Sequence, residues 1–164
     1  MVICMYYINY FFLYSIFGHL IESVVYFFHN GESGILFCPW TPIYGFGVLI
    51  ILLCFNFIKK INNLKLRILL IFLSGFLLLS FLEFMGGIII EKIWNVVFWS
   101  YDGLKFNIGH YISLEISFCW GISALLVIML LPLTDKIVKK IPRFVSWLLI
   151  LLMFIDLIFT IIFK

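Results

Sequence analysis

Charged residues are scarce in this chain. Only 12% of its 164 residues are charged, whereas 65% are hydrophobic, and the mean hydropathy is +1.23. A water-soluble domain carries about a quarter of its residues as charged side chains. The shortage excludes a soluble surface, and the length leaves no room for a second, soluble domain. We therefore predict an all-α, polytopic integral membrane protein that forms a single membrane domain over residues 1–164.

The motifs of nucleotide and thiol chemistry are also missing. No GxxxxGK[ST] phosphate-binding loop is present, so the chain does not hydrolyse ATP by that route. The four cysteines form no CxxC pair, which favours ordinary packing over a disulfide or a metal site. No cofactor is indicated. Whether the chain itself is an enzyme stays open, with a non-enzymatic role favoured.

Five apolar segments are long enough to cross about 30 Å of hydrocarbon at about 1.5 Å per residue, the second only just. They are Met5–Phe28, Pro42–Ile58, Leu66–Ile90, Gly109–Leu131 and Val145–Phe163.

Basic residues cluster in two of the connections between these segments. The clusters are Lys59, Lys60, Lys65 and Arg67, and Lys136, Lys139, Lys140 and Arg143. Because loops rich in Lys and Arg stay in the cytoplasm, the clusters indicate topology and not a nucleic-acid partner. They predict a cytoplasmic N-terminus and an external C-terminus.

The connection before the second segment is rich in proline and glycine. Pro39 and Pro42 lack backbone donors, so the stretch Gly34–Thr41 cannot be a regular helix. We predict a shaped re-entry into the membrane that leads into a helix beginning near Pro42. Gly45 and Gly47 then lie where close helix packing favours glycine.

The connection Glu91–Ile108 is rich in aromatic residues with polar neighbours. Its rings are Trp94, Phe98, Trp99, Tyr101 and Phe106. Such side chains favour the headgroup level of a bilayer, so we predict a short helix in the interface. The rings either anchor the protein or form a lid over a site below.

Four acidic residues from four segments lie at a similar predicted depth. Glu22, Glu83, Glu115 and Asp156 each fall about 9–10 Å inside the outer ends of their segments. His19, one helical turn before Glu22, is the only nearby intramembrane base. Charge that faces lipid is costly, so these groups should face protein or water.

Several interpretations of this acidic layer stay open. Carboxylates in a low-dielectric environment repel one another, so some must hold protons or share a cation. The group could relay protons, bind a cationic substrate or metal ion, or act as general acid and base. It could also only hold helices together through hydrogen bonds. The His19-x-x-Glu22 pattern alone does not specify a metal.

Three stretches together resemble a known family. They are Gly18–Glu22, Pro39–Gly47 and a region from Glu83 to Gly121 that includes Phe106-Asn107-Ile108-Gly109. They resemble the bacterial putative ABC-transporter type IV family, over roughly residues 10–132, with Asp156 outside. The resemblance implies a small multi-pass protein of the bacterial cytoplasmic membrane, the permease part of a system with a separate ATP-binding subunit.

The family pattern carries over to eleven positions. They are Glu22, Pro39, Pro42, Tyr44, Gly45, Gly47, Glu83, Tyr101, Asn107, Gly109 and Trp120. The chain departs from the pattern at Thr41, Ser100 and His110, where the resemblance implies cysteine, aspartate and arginine.

Depth and resemblance together give one hypothesis for a substrate or ion site. It is built from Glu22, Glu83 and Glu115, with His19, Tyr44, Tyr101 and Asn107 around them. Pro39, Pro42, Gly45 and Gly47 would shape the adjoining loop. The leading function is a membrane transport component in contact with the lipid bilayer. The alternatives are a membrane-embedded enzyme acting on a lipid or amphiphile, and an accessory or scaffold protein.

Overall fold

A computed structural model describes residues 2–27 and 35–163 and shows a helical protein. Its helices are α1 (Val2–Phe27), α2 (Pro42–Ile58), α3 (Leu64–Ser74), α4 (Ser80–Trp94), α5 (Leu114–Val138) and α6 (Arg143–Phe163). A π-helical segment, Gly75–Leu79, joins α3 to α4, and a short hairpin pairs β1 (Asn107–Ile108) with β2 (Ile112–Ser113).

Four helical stretches of the described chain are long and apolar enough to cross a membrane. They are Cys4–Val25, Leu64–Trp94, Leu114–Val138 and Arg143–Phe163. The fifth apolar helix, α2, has 17 residues and is shorter. The prediction of an all-α protein with membrane-spanning helices is confirmed.

The helix bounds agree with the prediction for α2 and differ elsewhere. The span predicted at 66–90 extends in both directions, because Asn63 caps the Leu66 amide at 3.2 Å and Asn95 takes a left-handed conformation that ends α4. These ends carry charged residues that a hydropathy criterion leaves out. The predicted end of the first span, Phe28, lies outside the described residues.

The predicted start of the fourth apolar segment is wrong. We expected helix from Gly109, but residues 109–113 belong to the hairpin, where Gly109 has a φ of +60°. Asn107 pairs with Ser113 in antiparallel register. A positive φ suits glycine and breaks a right-handed helix, so α5 begins only at Leu114.

The interfacial helix predicted for the aromatic connection is also wrong. Residues 95–106 form bends, turns and extended chain, and the hairpin follows them. The left-handed Asn95 stops the helix, and the β-branched Val96 and Val97 favour extended backbone. The aromatic side chains are therefore placed by a folded loop.

The chain divides into two compact units. The first comprises Met1–Phe46 and Pro132–Lys164, and the second comprises Gly47–Leu131. In the first unit α1 packs on α6 around a polar contact. The Ser146 hydroxyl donates to Asn9 Oδ1 at 2.6 Å, and Asn9 Nδ2 donates to the Val138 carbonyl at 3.3 Å. Hydrogen bonds between helices of this kind hold apolar membrane helices in register.

Two glycines bring α1 and α2 close together in the first unit. A Cβ at Gly18 would lie 2.2 Å from the ring of Tyr44, and one at Gly45 would lie 2.3 Å from Ser15 Oγ and 2.7 Å from the Phe11 carbonyl. No larger residue fits at either position without a shift. The glycines therefore set the distance between the two helices beside the non-helical connection.

The second unit has an apolar core with its own small-residue contact. Ile51, Ile71, Leu79 and Ala124 form the buried centre of this core. A Cβ at Gly75 would lie 2.5 Å from Ala124 Cβ and 2.6 Å from the Trp120 carbonyl oxygen. The π-helical segment therefore approaches α5 almost backbone to backbone.

Replacement of Gly75 by alanine should destabilise the protein by about 1–3 kcal/mol, because an extra methyl in a filled contact forces backbone movement. The matched control is Gly103→Ala, since a Cβ at Gly103 meets nothing within 4 Å; that change should stay within about 0.5 kcal/mol. Unfolding of both purified variants in the same detergent measures the difference. Equal stability of the two variants would show that this contact is not tight.

Candidate functional site

The connection before α2 is folded back on the first unit by its backbone. Residues 35–41 are not helical, and the Trp40 amide donates to the Cys38 carbonyl at 2.8 Å around Pro39. The Thr41 amide donates to the Ser15 carbonyl of α1 at 2.9 Å. The predicted beginning of this connection, Gly34, lies outside the described residues. Pro42 is the first residue of α2.

Asp156 of α6 accepts three hydrogen bonds from this connection. The Phe37 amide donates to Oδ1 at 3.0 Å, the Cys38 amide donates to Oδ2 at 3.1 Å, and the Trp40 indole donates to Oδ2 at 2.8 Å. Asp156 is only 4% exposed. A carboxylate that accepts several N–H groups can remain buried, because these donors replace the water it has lost.

Glu22 of α1 receives donors from the next residues of the same connection. Thr41 Oγ1 donates to Glu22 Oε2 at 3.1 Å. The Tyr44 hydroxyl also hydrogen-bonds this carboxylate, and the Tyr44 ring lies against Gly18. Glu22 is half-buried. Two adjacent residues, Trp40 and Thr41, thus contact two different carboxylates.

Further polar atoms are buried on the same helices. His19 Nδ1, Ser15 Oγ and Thr160 Oγ1 are inaccessible and have no hydrogen-bond partner within the described part of the chain. His19 lies one turn before Glu22, and Thr160 lies one turn after Asp156. Buried polar atoms in native proteins nearly always have a partner, which makes these three atoms candidate binding groups.

In the second unit, Glu83 of α4 is the buried acid. Tyr101 donates its hydroxyl to Oε1 at 2.6 Å, and the Trp120 indole donates to Oε2 at 2.7 Å. Glu83 is 7% exposed. One turn earlier, the Ser80 hydroxyl contacts Ser117 Oγ at 2.7 Å. A polar stripe on α4 therefore faces polar groups of α5 and of the aromatic loop.

A second acid–tyrosine pair lies further along α4. The Tyr111 hydroxyl donates to Glu91 Oε2 at 3.0 Å, and its ring covers Gly87, where a Cβ would lie 2.5 Å away. Trp99 packs edge-on against Tyr111 at 5.5 Å between ring centroids. These contacts attach the aromatic loop to the C-terminal part of α4.

Asn107 and Glu115 do not join Glu83. Asn107 Nδ2 donates to Asp102 Oδ1 at 3.4 Å and to the Gly109 carbonyl at 3.3 Å, inside the exposed hairpin region. Hydrogen bonding from Ser100, followed by that from His110, holds the pKa of Asp102 below its usual range. Glu115 is exposed in the first turn of α5.

The predicted site residues therefore fall into two local groups. In the first unit Glu22 lies with Tyr44, and His19 is one turn away; in the second unit Glu83 lies with Tyr101. No group of three or more His, Cys, Asp or Glu side chains among residues 2–27 and 35–163 is arranged to hold a metal ion. The common depth of the four acids stays a prediction.

Three contact residues lie outside the site predicted from the sequence. Asp156 belongs to the predicted acidic layer but not to the predicted site, and Trp40 and Thr41 are predicted only as parts of the connection. The signal for Asp156 was its predicted depth, which equals that of Glu22. No local pattern indicated its partner Trp40, which is 116 positions away.

Membrane-length apolar helices with carboxylates on their buried faces define the class: this is an integral membrane protein. The profile of the putative ABC-transporter type IV family matches residues 9–162, and the chain belongs to that family. The expectation that the family region ends near residue 132 and leaves Asp156 outside is therefore wrong. Searches of curated proteins and of solved structures found no match.

Cys38 of the connection lies beside Asp156, and this position raises the pKa of its thiol. Burial raises the pKa of the Cys38 thiol, and the neighbouring carboxylate of Asp156 raises it further. Since a raised pKa leaves less thiolate at a given pH, Cys38 should react slowly with alkylating reagents at neutral pH.

Asp156→Asn should lower the pKa of Cys38, because it removes the negative charge beside the thiol. The pH profile of Cys38 alkylation, followed by mass spectrometry of the modified peptide, should therefore move to lower pH. Thr160→Val is the matched control: it alters a buried residue one turn from Asp156 and leaves the carboxylate in place. An unchanged profile in Asp156→Asn would show that the carboxylate does not act on the thiol.

Proposed function

We propose that this protein is the membrane-spanning, permease-like component of an ABC-type transport system in the bacterial cytoplasmic membrane. We further propose that its buried acids near the outer face bind a cationic group of the substrate or a proton. Membership of the putative ABC-transporter type IV family and the four membrane-length helices support the first part. The contacts of Glu22 and Asp156 support the second.

The observation that carries the proposal is that Glu22 is held by neutral hydroxyl donors and has no cation beside it among the described residues. The ion pairs among residues 2–27 and 35–163 are Asp102 with His110 and Asp135 with Lys139, and neither includes Glu22 or Asp156. A carboxylate in an apolar environment without a cation is costly to ionise. It either holds a proton or attracts a positively charged ligand, and both are useful to a transporter.

Glu22 is better suited than Asp156 to exchange its present hydrogen-bond donors for a cation. Asp156 accepts hydrogen bonds from three N–H donors, whereas Glu22 is half-buried and receives hydroxyl donors from Thr41 and Tyr44. Hydroxyl groups can rotate and also accept hydrogen bonds, so they can turn toward an incoming cation. In the proposal Glu22 binds the charge and Asp156 holds the connection in position.

A change at Glu22 would reach the start of α2 through Thr41. Thr41 immediately precedes α2, and its backbone is fixed by the Ser15 carbonyl while its side chain contacts Glu22. Protonation or cation binding at Glu22 would weaken the attraction for the Thr41 hydroxyl. The connection before α2 is therefore the element that responds when Glu22 binds a proton or a cation.

Glu83 has the corresponding place in the second unit. Its two oxygens are oriented by Tyr101 and Trp120, and Tyr101 belongs to the aromatic loop. We include Glu83 as a second candidate binding group. Glu115 stays a candidate only because of its predicted depth. Its side chain forms no hydrogen bond or ion pair in the described part of the chain.

The proposed partner is a separate ATP-binding subunit, since the chain has no phosphate-binding loop of its own. Exposed basic residues around the end of α5 and the start of α6 offer a docking surface on the side predicted to be cytoplasmic. They are Lys136, Lys140 and Arg143.

Purification of the tagged protein from its native membrane in a mild detergent should recover an ATP-binding subunit in stoichiometric amount. Charge reversal at Lys136 and Lys140 should lower this recovery, because the docking surface would repel an acidic partner face. Lys92→Glu is the control, since it reverses an exposed charge on the side predicted to be external. Protein identification by mass spectrometry measures all three samples.

A monodisperse preparation without an ATP-binding subunit would contradict the permease assignment. Equal loss of the subunit in Lys92→Glu would contradict the proposed docking surface while leaving the partner itself in place.

Glu22→Gln should abolish stabilisation by a cationic ligand while it preserves the fold, since the amide oxygen can still accept from Thr41 and Tyr44. A ligand at 100 times its dissociation constant stabilises a protein by about 2.7 kcal/mol. Thermal unfolding in the presence of a panel of inorganic and organic cations reveals this shift. Asp102→Asn, which removes an exposed carboxylate, should respond like the wild type. Equal stabilisation of Glu22→Gln would remove Glu22 from the site.

A further inference from the structure

The second unit contains an apolar cleft, and none of the residues that line it is acidic. It has a volume of about 330 Å³, near the lower end of the range of about 300–1,000 Å³ for small-molecule sites. Phe55 of α2, Ile68 and Ile71 of α3, and Leu125 of α5 contribute to its walls. Arg67 is the charged residue among those that line it.

Arg67 contributes to this cleft near the N-terminal end of α3. It is three residues into α3, about 4.5 Å from the helix start, whereas Ile71 is one turn further along the helix and 5% exposed. Arg67 is half-buried, and its guanidinium forms no hydrogen bond or ion pair within the described part of the chain. The cleft therefore combines a positive charge near the start of α3 with apolar side chains further along the helix.

The surroundings of Arg67 are positive as well. Lys59, Lys60 and Lys65 lie at the adjoining ends of α2 and α3 and are exposed. Residues 47–82 contain no aspartate or glutamate. Lys59 contacts the neutral Asn56 at 2.9 Å. This end of the second unit therefore attracts anions without an internal acid to neutralise it.

The volume of the cleft favours a lipid chain over a helix as its occupant. A helix with its side chains is about 10–12 Å wide, which is large for a volume of about 330 Å³, whereas a single acyl chain is much narrower.

We propose that this cleft binds one acyl chain of an anionic phospholipid whose phosphate pairs with Arg67. An acyl chain gains little by leaving bulk lipid for an apolar cleft, so selectivity must come from the headgroup. Arginine suits this role, because its planar guanidinium forms two parallel hydrogen bonds to a phosphate. The neighbouring lysines favour a headgroup with net negative charge over a zwitterionic one.

Native mass spectrometry of the full chain in a non-ionic detergent tests the proposal, with phosphatidylglycerol and phosphatidylcholine as the added lipids. The wild type should retain phosphatidylglycerol in preference to phosphatidylcholine. Arg67→Gln should reduce this preference about five-fold or more, since one basic residue near an anionic headgroup contributes about that factor. Lys65→Gln removes an exposed neighbouring charge that does not line the cleft, and it should keep most of the preference.

Equal retention of the two lipids by the wild type would overturn the proposal. So would equal effects of Arg67→Gln and Lys65→Gln, because lipid would then respond only to the overall surface charge. Ile68→Trp fills the cleft at a position that is 46% exposed and leaves Arg67 in place. It should lower phosphatidylglycerol retention, and unchanged retention by a folded Ile68→Trp variant would place the lipid outside the cleft.

Discussion

The first unit depends on the hydrogen bonds that Asp156 accepts from a non-helical stretch of backbone. Irregular backbone within a membrane protein needs internal partners, because lipid offers none. Pro39 prevents this stretch from supplying its own helical hydrogen bonds. The Phe37 and Cys38 amides are instead satisfied by a carboxylate on α6, and the Thr41 amide by α1. These contacts fix the residue before α2, and with it the hydroxyl that reaches Glu22.

Both units place an indole N–H against a buried carboxylate. The distance is 2.8 Å between Trp40 and Asp156 and 2.7 Å between Trp120 and Glu83. An indole donates one hydrogen bond and carries no charge, so it orients a carboxylate without neutralising it. The same donor also brings a large apolar ring beside the acid, which lowers the local dielectric. Such an environment keeps an acid fixed in position yet sensitive to protons and cations.

Hydropathy predicted the class of fold and most of each helix, because apolar length is a strong signal in a membrane protein. Hydropathy failed to predict the connection between α4 and α5, because backbone conformation determines the structure there. The left-handed Asn95 and Gly109 replace the expected interfacial helix with a loop and a hairpin. The candidate site was predictable only in part. Helical spacing located Glu22 and Glu83 on their segments, but the pairing of Trp40 with Asp156 joins positions 116 residues apart. No local pattern encodes such a contact.

The π-helical segment Gly75–Leu79 determines which side of the span its buried residues occupy. Buried positions recur every four residues from Ile71 through Gly75 to Leu79, and then at Glu83 and Gly87. In a regular α-helix each such step turns by about 40°, so four steps would carry the last position about 160° around the axis. A π turn contains about one residue more than an α turn, which takes back about 100° of that rotation. The segment thus corrects the phase of the span: one additional residue in the chain lets a single helix present its apolar half and its acidic half to the same neighbour.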